Sequence, residues 1–238
     1  ASFINAGHVL RLDEAMRKCP ELIPLETHPN RYREFHVEIV KVLEKYSQNV
    51  IVKSIDEAFI NLSDSKLKEK DFTELAKEIK EEIRSNVGDY LKCSIGIAPN
   101  EFLAKLASDI KKPDGITVIS SENIDETLGR LSLTDLPGIA KAMALRLKTA
   151  GIETPLQLRH TPPEELKRAC KSITGLYWHY RLNFSEVDIA MNDYKSMQAM
   201  RQISLRSNRF LSTTSSKPRT AASTPVLTMR FLMAASAV

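Results

Sequence analysis

The sequence has few of the features that mark secreted, membrane-spanning or metal-cluster proteins. Its 238 residues contain only three cysteines, Cys19, Cys93 and Cys170, which are far apart and show no metal-ligand spacing. Scattered cysteines in odd number are typical of reduced thiols in a cytosolic protein rather than of a disulfide framework. No apolar stretch is long enough to span a bilayer, and the first residues show no signal-peptide pattern. We therefore expect a cytoplasmic protein without a membrane anchor.

Acidic residues are absent after Asp193. Residues 211–238 are dense in Ser, Thr, Ala and Pro, which is a low-complexity composition, and we expect this tail to be disordered or poorly specified. The formal net charge of the whole chain is only +4, so the total says little about partners. The length and the 42% hydrophobic content are sufficient for two or three domains.

Two apolar, β-branched runs meet at a pair of carboxylates. Residues 50–55 and 58–62 predict the strands of a hairpin, with Asp56 and Glu57 at the tight connection. Adjacent carboxylates repel each other and must be screened by water or by cations. Divalent cations prefer hard oxygen ligands, and such pairs hold Mg²⁺ where phosphates are transferred. The alternative interpretation is an ordinary solvated turn.

Helices and strands alternate around this hairpin. Hydrophobic spacing predicts helices at residues 9–18, 31–46 and 71–86, and strands at residues 92–98 and 116–119. Asp71 and Glu74 match a capping box at the start of the third helix. This order indicates an α+β fold, in which an antiparallel-rich sheet has helices packed on one face.

A helix with one polar face is predicted from Asn100, its N-cap, to about residue 112. The polar face consists of Lys105, Ser108, Asp109 and Lys112. Lys105 and Lys112 are two helical turns apart, and compact ammonium groups suit phosphate oxygens. The alternative is a solvated face with a Lys105–Asp109 pair, which would contribute about a few tenths of a kcal/mol.

A tight turn then joins a predicted helix at residues 120–131 to another at residues 141–150. This helix-hairpin-helix pattern would bring backbone N–H groups and Lys141 to a nucleic-acid phosphate without reading the base sequence, and an ordinary helical corner is the alternative. The candidate backbone-binding residues are Pro137, Gly138, Ile139, Ala140 and Lys141. Residues 139–182 carry eight Lys and Arg against three Glu, which favours a polyanionic partner. Trp178 lies in the same region, and we predict that it belongs to the core.

Five motifs in this order make the sequence resemble the Y-family of lesion-bypass DNA polymerases. The motifs are SIDEAF at 54–59, CSIGIAPN at 93–100, FLAKLASD at 102–109, KPDG at 112–115 and DLPGI at 135–139, within a collinear resemblance over roughly residues 7–203. The resemblance implies a remnant of the fingers at 1–27, the catalytic part of a ferredoxin-like palm at 28–119, an all-α thumb at 120–184, and a tether, the start of the little finger and the tail at 185–238.

The resemblance also implies roles for individual residues. Asp56 would be a ligand shared by two catalytic Mg²⁺ ions, and Glu57 would help to position the primer 3′-hydroxyl and the catalytic metal. Lys112 would hold the triphosphate of the incoming dNTP, with Lys105 near the same site. Primer-template DNA would be the macromolecular partner of a monomeric enzyme, and a sliding clamp is a further candidate partner.

The sequence also departs from the family pattern. The family's first palm strand, with another metal-binding Asp, most of the fingers and most of the little finger have no counterpart here. We therefore expect little or no polymerase activity from the chain alone. Two other functions compete with this interpretation: a non-catalytic DNA-binding module, and a nucleotidyl cyclase. Cyclases usually carry glycines before the acidic residues, where Ser54 and Ile55 stand in this sequence.

Overall fold

A computed structural model describes residues 11–24, 26, 28–62, 69–185 and 226–232. The helices are α1 Leu12–Lys18, α2 Pro29–Glu44, α3 Glu69–Asn86, α4 Glu101–Ile110, α5 Ile124–Gly129, α6 Lys141–Thr149, α7 Pro155–His160, α8 Pro163–Cys170 and α9 Thr174–Leu182. The strands are β1 Val50–Ser54, β2 Glu57–Asn61, β3 Lys92–Ala98, β4 Ile116–Val118 and β5 Val226–Leu232, and a 3₁₀ turn covers Leu133–Asp135.

The five strands form one sheet in the order β1-β2-β5-β3-β4. The neighbouring pairs are antiparallel except for β3 and β4, which run parallel. The predicted α+β fold with an antiparallel-rich sheet is therefore confirmed. The expectation of a disordered tail is wrong for Val226–Leu232, because this segment is a β-strand inside the sheet. The rest of the predicted tail, and the predicted tether from residue 186 onward, lie outside the described residues.

Helices cover both faces of the sheet. Helices α2 and α3 form one core with β2 and β3, in which Ile39, Ile79 and Ile95 are almost fully buried. Helix α4 packs on the opposite face and belongs to a second core, which also contains Phe59 of β2. The sequence predicted helices on one face of the sheet only, and this detail is wrong because α4 covers the other face. The nearly continuous burial along β2 and β3 is typical of strands covered on both faces.

The start of α3 differs from the sequence prediction. Asp71 was expected to cap the helix, but α3 already begins at Glu69 and Asp71 lies inside it. Glu69 and Lys70 are strong helix formers, so the helix extends beyond the local capping signal.

Asn100 joins the sheet unit, which consists of residues 28–119 with β5, to the helical unit of residues 120–185. Its predicted role as N-cap is confirmed, since its Oδ1 accepts a hydrogen bond from the Leu103 backbone N–H at 2.8 Å. Its Nδ2 donates to the backbone carbonyl of Arg181 in α9 at 2.7 Å. The side chain is buried, so both polar ends depend on these partners. One amide therefore begins α4 and also fixes the end of α9 against it.

We expect Asn100→Ala to lower the free energy of unfolding by about 2–3 kcal/mol, because it removes the cap and leaves the Arg181 carbonyl without its donor. Asn100→Ser restores a capping oxygen but not the amide donor, so it should recover only about 1 kcal/mol. Urea denaturation of the three proteins measures the difference. Equal stability of the Ala variant and the parent protein would contradict this account.

Candidate functional site

The acidic pair lies where the hairpin turns. Residues 55 and 56 form the turn between β1 and β2, and Glu57 is the first residue of β2. Ser54 pairs with Glu57, and the register shifts between Val52 and Ser54. The Ser54 hydroxyl donates to Asp56 Oδ1 at 2.5 Å, which orients that carboxylate. Both acidic residues are half-buried, and the hairpin therefore presents two adjacent carboxylates at the edge of the fold.

Lys105 of α4 reaches the second carboxylate of this pair. Its Nζ forms a short ion pair with Glu57 Oε1, and the two side chains are 30% and 14% exposed. This partner differs from the intrahelical Asp109 that a solvated helix face would use. Lys53 of β1 forms a separate ion pair with Glu101 at 3.0 Å and lies over the Phe59 ring. Lys53 was not among the predicted site residues, although it stands three positions before Asp56.

Lys112 is not on the helix that carries Lys105. Helix α4 ends at Ile110, and Lys112 forms an ion pair with Asp109. The prediction that one helical face holds both lysines is therefore wrong. Ser108, which was assigned to the same polar face, is buried and donates to the Lys105 carbonyl at 2.7 Å. Its burial follows from the position of α4 between the sheet and the helical unit, which a helical wheel does not show.

The acidic pair can provide only part of a divalent-metal site. Within the described residues, no group of three or more His, Cys, Asp or Glu side chains is arranged to hold a metal ion. Asp56 and Glu57 nevertheless have the hard oxygen atoms that Mg²⁺ prefers, and they are adjacent on a strand pair. The residues therefore fit two carboxylate ligands of such a site.

A tryptophan contacts the buried side of the Pro-Gly turn in the helical unit. Gly138 has a φ of +86°, a conformation that suits glycine. Trp178 is buried, as predicted, and its Nε1–H donates to the Pro137 carbonyl at 3.3 Å. Ile139 is buried behind the turn, whereas Gly138, Ala140 and Lys141 are exposed. The turn is thus anchored on its inner side and open on its outer side.

Helix α6 begins directly after this turn. Its N-cap is Ala140, which has no side-chain acceptor for the first backbone N–H groups. Lys141 is the first residue of the helix and is exposed. Unsatisfied N–H groups, the helix dipole and a lysine together attract an anion. The five predicted backbone-binding residues are therefore contiguous, with four of them around an exposed anion-attracting helix start and Ile139 supporting it from the core.

Three arginines of the helical unit make contacts that stabilise its fold. Arg146 donates to the Cys170 carbonyl at 3.0 Å, and Arg159 donates to the Leu182 carbonyl at 3.2 Å and pairs with Asp125. Arg181 packs over two aromatic rings. The exposed basic residues that remain are Lys141, Lys148, Lys167, Arg168 and Lys171. The number of basic side chains available to a ligand is therefore smaller than the eight counted from the sequence.

The two buried cysteines, Cys93 and Cys170, are poorly suited to nucleophilic chemistry. All three are free thiols, and burial raises the pKa of both the Cys93 and the Cys170 thiol. A raised pKa keeps a thiol protonated and poorly nucleophilic. Among the described helices, none is long and apolar enough to cross a membrane.

Comparisons with known proteins agree with one another. Residues 5–109 match the family model described as the impB/mucB/samB family. DNA polymerase IV 1 of Halalkalibacterium halodurans is 39% identical over 170 residues, which are 71% of this chain and 40% of that protein. DNA polymerase IV 1 of Bacillus subtilis is 38% identical over 155 residues, which are 65% of this chain and 37% of that protein. The chain spans less than half the length of these curated relatives.

Solved structures give the same result. A ternary complex of Dbh superposes with a TM-score of 0.65 and 28% identity, covering 73% of this chain and 52% of that one. A DinB family error-prone DNA polymerase from Sulfolobus solfataricus superposes with a TM-score of 0.64 at the same identity and coverage. Both superpositions therefore cover nearly three quarters of this chain.

If Lys105 neutralises Glu57, its removal should leave more negative charge for a metal ion. We expect Lys105→Met to bind Mn²⁺ roughly 3- to 10-fold more tightly, a free-energy change of about 1 kcal/mol for a partly exposed pair. Lys80→Met is a suitable control, because it removes a partly buried ion pair with Asp114 instead. Water-proton relaxation during Mn²⁺ titration measures the affinity. An unchanged affinity in Lys105→Met, or full binding in Asp56→Asn, would contradict the site.

Proposed function

We propose that this chain, which belongs to the UmuC/DinB group of Y-family DNA polymerases, is the palm-and-thumb part of a translesion DNA polymerase. The reaction would be template-dependent transfer of a nucleotide from a dNTP to a primer 3′-hydroxyl. The observation that carries the proposal is the carboxylate pair of the hairpin with Lys105 facing it from α4. The bacterial relatives are named DNA polymerase IV, and the Dbh structures include ternary complexes.

The hairpin would hold the reaction centre. Bound at Asp56 and Glu57, Mg²⁺ would stabilise the charge on the attacking and leaving oxygens of nucleotidyl transfer. Ser54 orients Asp56 through its hydroxyl, and Lys105 forms an ion pair with Glu57. A triphosphate entering this site would offer Lys105 a phosphate oxygen in exchange for the carboxylate. Lys112 would do the same from its pair with Asp109.

The helical unit would hold the primer-template duplex through its backbone. The exposed N–H groups at the start of α6, Gly138 and Lys141 favour a phosphate. Phosphate contacts of this kind fix the position of the duplex without selecting its sequence. That property suits an enzyme that must copy templates of any sequence, including damaged ones.

A non-catalytic DNA-binding module is the second candidate function. The observation in its favour is that the described residues supply two carboxylates and no further metal-ligating group. The start of α6, by contrast, has no side-chain cap and carries the exposed Lys141, which favours an anion. We accordingly expect weak catalysis from this chain alone. We further propose a sliding-clamp partner, a monomeric state, a role in the SOS response and a cytoplasmic, nucleoid-associated location.

Primer extension with Mg²⁺ and dNTPs should be weak for the parent chain and absent for Asp56→Ala, because the substitution removes a metal ligand. DNA binding by the same preparations should persist, since Asp56 lies outside the helical unit. Gel-resolved extension and fluorescence anisotropy on one labelled primer-template measure the two activities. Extension that survives in Asp56→Ala would exclude the proposed site, and a failure of the parent chain to bind primed DNA would exclude both candidate functions.

Binding of duplex DNA should depend steeply on salt, and Lys141→Ala should reduce the slope of log affinity against log salt by about 0.9 if it contacts one phosphate. Lys41→Ala, which removes a lysine paired with Glu38 on α2, should leave the slope unchanged. Anisotropy titrations at several salt concentrations give both slopes. Equal slopes in all three proteins would show that Lys141 does not contact the DNA.

The turn itself can be tested with a matched pair of glycines. Gly138→Ala forces a side chain onto a φ of +86° and should cost about 1–2 kcal/mol locally, which we expect to weaken DNA binding. Gly129→Ala is the control, because Gly129 has nothing within 4 Å of an added Cβ and lies in helix α5. The same anisotropy titration compares them. Equal weakening by both substitutions would contradict a specific role of the turn.

A further inference from the structure

A polar cleft lies beside the sheet, between helix α3 and the start of β3. Its volume is about 190 Å³, and we call it the α3 cleft. Lys77, Lys80 and Arg84 line it from α3, where their helical spacing places them on one face. Lys92 at the start of β3 and Asp114 line it from the other side. Basic side chains therefore surround the cleft from two separate elements.

The ion pair of Lys80 with Asp114 belongs to the wall of this cleft. The Lys80 side chain is only 18% exposed, and its Nζ lies 3.0 Å from Asp114 Oδ1 and donates to the Asp114 carbonyl. The same Oδ1 accepts a hydrogen bond from the Cys93 backbone N–H at 3.4 Å. An ammonium group has three N–H donors, so Lys80 can contact a further oxygen atom while it keeps Asp114.

The cations at the rim of the cleft are held weakly by their own carboxylates. Lys77 pairs with Glu74 at 2.7 Å and Arg84 pairs with Glu81 at 2.7 Å, each across three residues of α3. All four side chains are more than half exposed, and exposed pairs of this kind contribute little to stability. Lys92 is exposed and forms no ion pair with any side chain that the structure describes. An anion with several charges can therefore recruit these cations at little cost.

We propose that the α3 cleft binds a small, multiply charged phosphate anion, with inorganic pyrophosphate as the representative ligand. Ammonium groups suit phosphate oxygens, and the guanidinium group of Arg84 can bind two of them at once. A volume of about 190 Å³ has room for one or two phosphate groups but not for a duplex. Cations on both sides favour an anion that reaches from one wall to the other.

The site goes beyond the proposed function and does not depend on it. Asp56, Glu57, Lys105 and Lys112 are not among the residues that line the cleft. The binding chemistry comes instead from the outer face of α3 and from the first residue of β3.

The cleft shares one loop with the predicted triphosphate site. The loop of residues 111–115 is fixed to β3, where the Ser94 hydroxyl donates to the Lys111 carbonyl at 3.2 Å. Lys112 belongs to this loop, and so does Asp114 in the cleft wall. Pyrophosphate released by nucleotidyl transfer would be one source of the anion, and free orthophosphate is another. The two sources differ in the number of phosphate groups, which a binding experiment distinguishes.

Isothermal titration calorimetry of the full chain with pyrophosphate tests the site, in EDTA so that no metal ion links the anion to the acidic pair. We expect a dissociation constant of about 0.1–1 mM at low salt, and a roughly tenfold weakening in Lys92→Gln or Arg84→Gln, each of which removes a charged donor. Both residues are exposed, so the fold should persist. Lys41→Gln is the matched control, because Lys41 also pairs with a carboxylate three residues away but lies on α2.

Amine footprinting tests the same site in the unsubstituted protein. Acetylation of Lys92 should slow several-fold at saturating pyrophosphate while Lys41 keeps its rate, and peptide mass spectrometry measures both. Equal pyrophosphate affinity in Lys92→Gln and the parent chain would overturn the proposal. A loss confined to Lys105→Gln would overturn it too, because the anion would then occupy the candidate active site.

Orthophosphate and a single-stranded oligonucleotide complete the test. Orthophosphate should bind more weakly than pyrophosphate, since it carries less charge and reaches fewer cations. Equal affinity for the two anions, or displacement of pyrophosphate by the oligonucleotide in proportion to its phosphates, would overturn the assignment to a small anion with several phosphate groups. None of these measurements involves primer extension, so a failure here is distinguishable from a failure of the proposed function.

Discussion

The close approach of α4 to β3 at Gly96 is the constraint on which the rest of the structure depends. A Cβ at this position would lie 2.0 Å from the Ala104 carbonyl oxygen and 2.4 Å from the Ser108 amide nitrogen, and backbone atoms cannot move aside as a flexible side chain can. Any larger residue would lift the helix off the sheet. Because Lys105 lies between those two contacts in sequence, the same approach holds it against Glu57.

Three lysines of the sheet unit form ion pairs in which a phosphate could replace the carboxylate. Lys53, Lys105 and Lys112 each have a resident carboxylate, on Glu101, Glu57 and Asp109 respectively. A surface of this kind is close to neutral without a ligand, and a polyphosphate would compete with the carboxylates rather than meet unpaired cations. In the helical unit the start of α6 relies instead on backbone dipoles, which need no exchange of partners. The two units thus offer an anion two different physical environments.

Local patterns predicted much of the fold and of the candidate site. Strand β3 has the predicted bounds, Asn100 caps α4, and the acidic pair lies at a hairpin turn. These features depend on side-chain spacing and on neighbours a few residues apart. The partner of Lys105 could not be predicted in this way, because the pair joins residues 48 positions apart through the packing of a helix on a sheet. The burial of Ser108 could not be predicted from the sequence for the same reason.

The largest error of the sequence prediction was to assign the residues of strand β5 to a disordered tail. The cause of this error is general. A run of seven β-prone residues in a region rich in Ser and Thr has too little local signal to be distinguished from a tail. Only the presence of two unpaired edges elsewhere in the chain gives it a partner. Composition measures what a segment can bury by itself, whereas a strand added to the middle of a sheet depends on what the other strands leave open.

The origin of the central strand also governs when the fold can be completed. The middle of the sheet must wait for residues 226–232, although both flanking strands precede residue 99. Pairings over such sequence separations raise the contact order and slow folding. During synthesis the helical unit of residues 120–185 can leave the ribosome and pack before the sheet is complete. It would therefore fold before the sheet, although four of the five strands precede it in the chain. The nascent sheet would meanwhile expose two apolar strand edges, which is a situation that chaperones recognise and that invites intermolecular strand pairing.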